Sequence, residues 1–127
     1  MGTWSLGSIA GEVHNLVPNI PISISGTTLK QIADRKREYV ANYTGETIGS
    51  NSIDIKYQGI IVNLTAAEVC DSMLLVGVDA ANVHLGDFSI SKGAGSNLEV
   101  ASQKFEEKAE KELNSLGRKI NYYQALG

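Results

Sequence analysis

Ser52-Ile53-Asp54-Ile55-Lys56-Tyr57-Gln58-Gly59-Ile60-Ile61-Val62-Asn63-Leu64-Thr65-Ala66-Ala67-Glu68-Val69-Cys70-Asp71-Ser72-Met73-Leu74-Leu75-Val76 reads as one long helix. Ile53, Tyr57, Ile60, Ile61, Leu64, Ala67, Cys70 and Leu74 recur at spacings of three and four, the period of one helical face. Val62, Val69, Met73, Leu75 and Val76 widen that face beyond a single stripe, so the helix expects neighbours on more than one side. Ser52 or Asn51 is the expected N-cap and Gly77 the stop, by side-chain capping and by the left-handed freedom of glycine. Gly59 inside the helix costs about 1 kcal/mol relative to alanine, which predicts a close helix crossing or a kink there.

Toward the N-terminus, Ser5 to Leu16 places Leu6, Ile9, Val13 and Leu16 on one face, although Gly7 and Gly11 weaken it as an autonomous helix. Pro18 and Pro21 break the pattern, and Ile20, Ile22 and Ile24 alternate as an extended connector or edge strand would. Thr27 or Thr28 then caps a helix ending at Gly45, whose buried face is expected to carry Leu29, Ile32, Lys36, Tyr39, Val40 and Tyr43. Lys30, Asp34, Arg35, Arg37 and Glu38 read as its solvated side. Trp4, the sole tryptophan, is expected to anchor the N-terminal segment in the core.

Toward the C-terminus, Val83, Leu85, Phe88 and Ile90 read as a small hairpin or arm with Gly86-Asp87 at its turn, within an arm spanning 82–96. From Asn97 to Leu116 a second amphipathic helix carries Leu98, Ala101, Phe105, Ala109, Leu113 and Leu116 on one narrow stripe. Gly117 stops it and an extended tail, 118–127, follows. The expected fold is therefore mainly α: a small bundle of about four helices over 1–117, with a short β-like arm and an extended C-terminal tail.

Catalytic patterns are sparse. His14 and His84 are the only histidines and have no cysteine or carboxylate at ligand spacing, so no metal or other cofactor is expected. Cys70, the single cysteine, sits within the apolar helix as a buried spectator thiol. Glu106, Glu107, Glu110 and Glu112 interleave with Lys104, Lys108 and Lys111 as a solvated helix face. Lys92-Gly93-Ala94-Gly95-Ser96 lacks the spacing of a phosphate loop. Asn63-Leu64-Thr65 matches a glycosylation sequon but falls inside the core helix. With 127 residues, 11 basic against 14 acidic side chains and a net charge of -3, general affinity for nucleic-acid phosphates is not expected. No apolar run approaches a membrane span, and the first residues lack the basic start and apolar block of a secretory signal. Synthesis in a cytoplasm follows as the expectation.

The order of Tyr39-Val40-Ala41-Asn42-Tyr43-Thr44-Gly45, a long apolar helix, Gly86-Asp87-Phe88-Ser89-Ile90-Ser91 and Ala109-Glu110-Lys111-Glu112-Leu113 resembles the head-tail connector, or adaptor, proteins of tailed bacteriophages. The resemblance runs from Thr27 to Gly127 and is weaker through Ile24. It implies a non-enzymatic virion protein at the head-tail junction, assembled as a homo-oligomeric ring of about a dozen copies. Such a ring lies below the portal protein and extends the DNA channel toward the tail, presenting a platform for a stopper or neck protein. Carried over by position, Val83, Leu85, Asp87, Phe88 and Ile90 belong to the arm that touches an adjacent subunit or the tail-side protein. Arg118, Lys119, Ile120, Tyr122, Tyr123 and Leu126 belong to the portal-docking tail. Double-stranded DNA would pass the lumen without specific binding, and a mildly negative wall avoids counterion-release affinity.

The residues support the tail assignment independently: aromatic and aliphatic side chains in a short extended segment suit strand addition or groove docking. The plainer alternative is a tail folded back on its own bundle. A different class, a small soluble helical regulator or binding subunit acting as monomer or dimer, explains the amphipathic helices and the acidic charge equally well.

Overall fold

The computed structural model describes residues 2–17, 20–75, 84–85, 88–89 and 97–116. Among them four helices carry the fold, α1 (Leu6–Leu16), α2 (Gly26–Thr44), α3 (Ile55–Leu75) and α4 (Asn97–Leu116). Between α3 and α4 lie two short strands, β1 (His84–Leu85) and β2 (Phe88–Ser89). They pair antiparallel with His84 opposite Ser89 and Leu85 opposite Phe88.

Local chemistry sets the helix starts. Ser5 and Ser8 form a capping box: the Ser5 hydroxyl accepts from the Ser8 N–H and the Ser8 hydroxyl accepts from the Ser5 N–H. The cap of α2 is Ser25, whose hydroxyl accepts from the Thr28 N–H at 3.2 Å, rather than Thr27 or Thr28. Gly45 ends α2 in the left-handed region at φ 75°, its N–H donating to the Ala41 carbonyl. The central helix begins at Ile55 instead of Ser52. Ile53 is drawn out of it into an antiparallel bridge with Trp4, with Trp4 N–H to Ile53 O at 3.0 Å and Ile53 N–H to Trp4 O at 2.8 Å. Asp54 then takes the capping role expected of Ser52 or Asn51, its carboxylate accepting from the Lys56 N–H at 3.1 Å.

Two other expectations are corrected. Ile20 to Ile24 form no strand: the Ile24 N–H donates to the Pro21 carbonyl at 2.9 Å in a local turn, with Ile24 buried and Ile22 97 % exposed. Proline fixes its own φ and offers no donor to a ladder, so a turn satisfies the backbone more readily than an edge strand would. The buried face of α2 is Leu29, Ile32, Ala33, Val40 and Thr44, a stripe rotated from the expected one. Ala33 meets the core because its small side chain lets the helix approach, while Tyr39 stays half exposed.

The core is organised around α3, which is buried on most of its circumference from Tyr57 to Met73. α1 and α2 pack on it and on each other, and α4 packs along it most extensively of all. Ser102 in α4 donates to the Ala67 carbonyl at 3.2 Å, while Glu112 stands over Gly59, so the two helices run antiparallel. Leu98, Ala101, Phe105, Ala109 and Leu113 fill that seam, the stripe expected for α4. Buried polar groups on α3 are satisfied within the chain. Asn63 donates to the Gly59 carbonyl at 2.8 Å, Thr65 to Ile61 at 2.7 Å and Gln58 to Ile53 at 3.0 Å.

Gly59 is not a tight crossing point. A Cβ there would stand 3.7 Å from both Glu112 carboxylate oxygens, an ordinary contact. Gly59→Ala is therefore expected to raise stability by about 0.5–1 kcal/mol through helix propensity, whereas Phe105→Ala, 1 % exposed in the seam, should cost about 3–5 kcal/mol. Urea denaturation of the two variants reads both, and a destabilised Gly59→Ala would show that the α3–α4 approach is closer than described.

Candidate interaction surfaces

Antiparallel packing of α3 and α4 gives the bundle two poles. The chain leaves α3 at Leu75 and enters α4 at Asn97 at one pole, the β1–β2 pair lying between them in sequence; it leaves α4 at Leu116 at the other. A helix of 20 residues separates them by about 30 Å. The first pole carries Leu75, 88 % exposed. Of the expected arm residues, Leu85 and Phe88 face each other in register. Val83, Asp87 and Ile90 lie outside the described residues, as do Gly77, Gly117 and the expected docking residues Arg118, Lys119, Ile120, Tyr122, Tyr123 and Leu126.

The second pole is held by a polar clamp. Tyr57 donates its hydroxyl hydrogen to Glu46 Oε1 at 2.7 Å. Lys56 Nζ lies 3.8 Å from the same oxygen and 5.1 Å from the Tyr57 ring centroid, within cation–π range. Burial, followed by the hydrogen bond and charge of Glu46, pushes the Tyr57 phenol up to about 12. It stays a neutral donor and joins the loop after α2 to the start of α3. Thr44 and Leu116 complete a recess of about 50 Å³ beside it, room for water rather than for an organic ligand.

Along the flank, α2 and α3 are pinned by Glu68. Arg35 reaches its carboxylate at 2.6 Å and Lys36 at 3.0 Å. Burial opposes ionisation of Glu68, but the hydrogen bonds and charges of Lys36 and Arg35 outweigh it and hold the carboxyl below its ordinary value. Nor is Arg37 part of a plain solvated face. It pairs with Asp34 at 2.7 Å and donates to the Ile48 carbonyl at 2.6 Å, tying α2 to the following loop. Sequence reading missed Glu68 and Arg37. The available signal was an acid, Glu68, within the apolar run of α3 and the consecutive cations Arg35, Lys36 and Arg37 in α2.

Below Glu68, α2 and α4 stand apart over α3 and leave a groove of about 240 Å³ lined by Lys36, Tyr39, Leu64, Glu106, Glu110 and Leu113. Tyr39 is 50 % exposed on its wall, and its ring lies 6.3 Å from that of Tyr43. Tyr43 donates to Asn114 Oδ1 at 2.7 Å and bridges α2 to α4 at the lower end. Glu106 and Glu110 are exposed on the opposite wall.

Cys70 is fully buried, and burial with the nearby Asp71 charge raises its thiol to about 12, far from a nucleophile at neutral pH. His14 is exposed. Asn63 of the sequon is buried with its amide bonded to Gly59. Among the described residues no three His, Cys, Asp or Glu side chains converge on a metal position, and no helix is long and apolar enough to cross a membrane. No family model, no curated protein and no solved structure matches this chain.

Because the folded carboxyl of Glu68 is lowered, its stabilisation is complete above the unfolded value of 4.5 and is lost as pH falls through the folded value. Glu68→Gln is expected to cost about 0.5–1 kcal/mol at neutral pH, with the difference from wild type closing in acid; a difference independent of pH would contradict the pairing. For Tyr57 the sign is opposite, its stabilisation being present below 10 and lost as pH rises through about 12. In an ultraviolet titration of phenolate absorbance, Tyr57→Phe should remove the late-titrating component. An unchanged late phase in that variant would assign it elsewhere.

Proposed function

We propose that the chain is a structural subunit of a phage head-tail junction: a ring-forming adaptor that sits below the portal and extends the DNA channel. In the virion it links the portal to the next neck or tail protein. The observation that carries this reading is the two-pole layout, with the connection from α3 to α4, which holds the β1–β2 pair, opening at one end and the root of segment 118–127 about 30 Å away at the other. A subunit that must join one partner above to another below needs binding segments at opposite ends of a rigid body. The order on which the sequence resemblance rests, helix, long apolar helix, arm and closing helix, supports the same reading.

In this reading Arg118, Lys119, Ile120, Tyr122, Tyr123 and Leu126 dock on the portal, with Tyr122 and Tyr123 as aromatic anchors. Val83, Leu85, Asp87, Phe88 and Ile90 form the arm against an adjacent copy or the tail-side protein. Ring symmetry multiplies contacts that are individually small. DNA slides through without a specific site, in keeping with the net charge of -3, and the chain works without catalysis or cofactor.

The test is addition of the purified protein to DNA-emptied capsids that carry a portal and lack neck proteins, comparing the full chain with one ending at Gly117. Electron microscopy of the portal vertex should show added ring density with the full chain only. Density with both chains would keep the adaptor and remove the docking role from the tail. Binding by neither, alongside a stable free dimer, would replace the adaptor with the soluble regulator.

A further inference from the structure

Glutamates and lysines alternate along the sequence of α4, but winding the chain into a helix sorts them. Each residue advances about 100° around the axis, so Glu106 and Glu110 share one flank with Glu99, while Lys104, Lys108 and Lys111 share another. The two flanks are centred about 150° apart, and all six side chains are exposed. Glu107 lies on the outer side between them, 3.8 Å from Lys104. The acid nearest the lysine flank on the inner side is Glu112, which stands over Gly59. With the apolar stripe of Ala101, Phe105 and Ala109 turned into the seam, α4 has an acidic edge toward α2 and a basic edge away from it.

The acidic edge is one wall of the α2–α4 groove, whose floor is Leu64 and whose opposite wall is the half-exposed Tyr39. Lys36 adds little positive charge there, since Glu68 holds it at 3.0 Å. The groove therefore suits cations carried on aliphatic stems, which can cover Leu64 and set an ammonium over the Tyr39 ring. The basic edge of α4 carries that chemistry at a matching interval. Lys104 and Lys108 are four residues apart, as are Glu106 and Glu110, and both pairs repeat at about 6 Å along the axis.

We infer that copies of this chain meet edge to edge, the Lys104, Lys108 and Lys111 side of one α4 entering the α2–α4 groove of the next copy against Glu106 and Glu110. Edges on opposite sides of one helix cannot both lie in a single two-fold interface, so the contact is heterologous and each copy keeps a free edge for another. Both edges are centred on the same turn of α4, near residue 108, so successive copies join without climbing along the helix, as closure into a ring requires. The inference rests on the head-tail reading for the existence of a ring, and it adds which surfaces of the subunit form the lateral contact.

The test needs no portal. An equal mixture of ordinary and nitrogen-15-labelled full chains, treated at high concentration with a carbodiimide that joins touching amines and carboxylates, should yield mixed-isotope peptides linking Glu106 or Glu110 to Lys104, Lys108 or Lys111. Their yield should fall about tenfold in 1 M salt, where charges are screened beyond about 3 Å. In sedimentation, wild type should associate past the dimer as concentration rises. The Lys104→Glu, Lys108→Glu, Lys111→Glu variant and the Glu106→Lys, Glu110→Lys variant should each remain monomeric, and their equal mixture should associate again, because alternating copies pair every edge. Circular dichroism reports that each variant is folded, and the wild-type cross-links decide the contact by themselves if one is not. Absence of mixed-isotope links at these positions, association that stops at a dimer, or a variant mixture that stays monomeric would each overturn the inference. Cross-links without capsid binding would keep this contact and remove the adaptor, whereas capsid binding without them would keep the adaptor and remove this contact.

Discussion

A 21-residue helix buried at Tyr57, Ile60, Ile61, Val62, Ala66, Ala67, Val69, Cys70 and Met73 has no polar face wide enough to meet water alone. Almost everything else in the molecule follows from covering it. α4 lies along one side with a narrow stripe ending in Leu113, and α1 and α2 close the other. The antiparallel Trp4–Ile53 bridge ties the N-terminal segment to the approach of α3. Because α3 is apolar nearly all round, its own period cannot say which neighbour covers which face. Polar contacts do that. Glu68 fixes α2 through Arg35 and Lys36, Ser102 fixes α4 against Ala67, and Tyr57 fixes the loop after α2 through Glu46.

The same constraint creates the two poles and the groove. With α4 antiparallel to α3, the connection between them and the end of α4 are forced to opposite poles. With α2 and α4 both packed on α3 but standing apart from each other, Leu64 remains as the floor of a groove. Neither the separation of the poles nor the groove requires a dedicated residue; both are by-products of wrapping one apolar helix with three shorter stripes.

Much of this was legible in the residues. The bounds of α4 could be read directly, because Leu98, Ala101, Phe105, Ala109 and Leu113 form one stripe between glycine-rich and glycine-ended flanks. The wide surface of α3 and the stop at Gly45 were equally readable. Starts were harder: Ser25 and Asp54 cap α2 and α3, although nearby threonines, serines and asparagine offered the same side-chain chemistry, and only tertiary pairing such as Trp4 with Ile53 decides among them. Periodicity placed Tyr39 in the core because it counts hydrophobicity, whereas the smaller Ala33 wins where helices approach closely. Arg37 read as solvated for a similar reason, since its partner, the Ile48 carbonyl, belongs to a loop no pattern locates. Of the candidate site, the hairpin register was visible at Gly86-Asp87. The groove was not, because it is made by the spacing of three helices rather than by any motif.

The claim at the centre is that the two ends of this bundle serve different partners. It is tested most directly by cross-linking in assembled particles, from Leu75→Cys at the arm pole and Ser115→Cys at the tail pole, with the buried Cys70 as an unreactive background. A portal cross-link from position 115 alone, with position 75 joining a neighbouring copy or a tail-side protein, is the expected result. Both positions joining the same protein, or position 75 joining the portal, would contradict it.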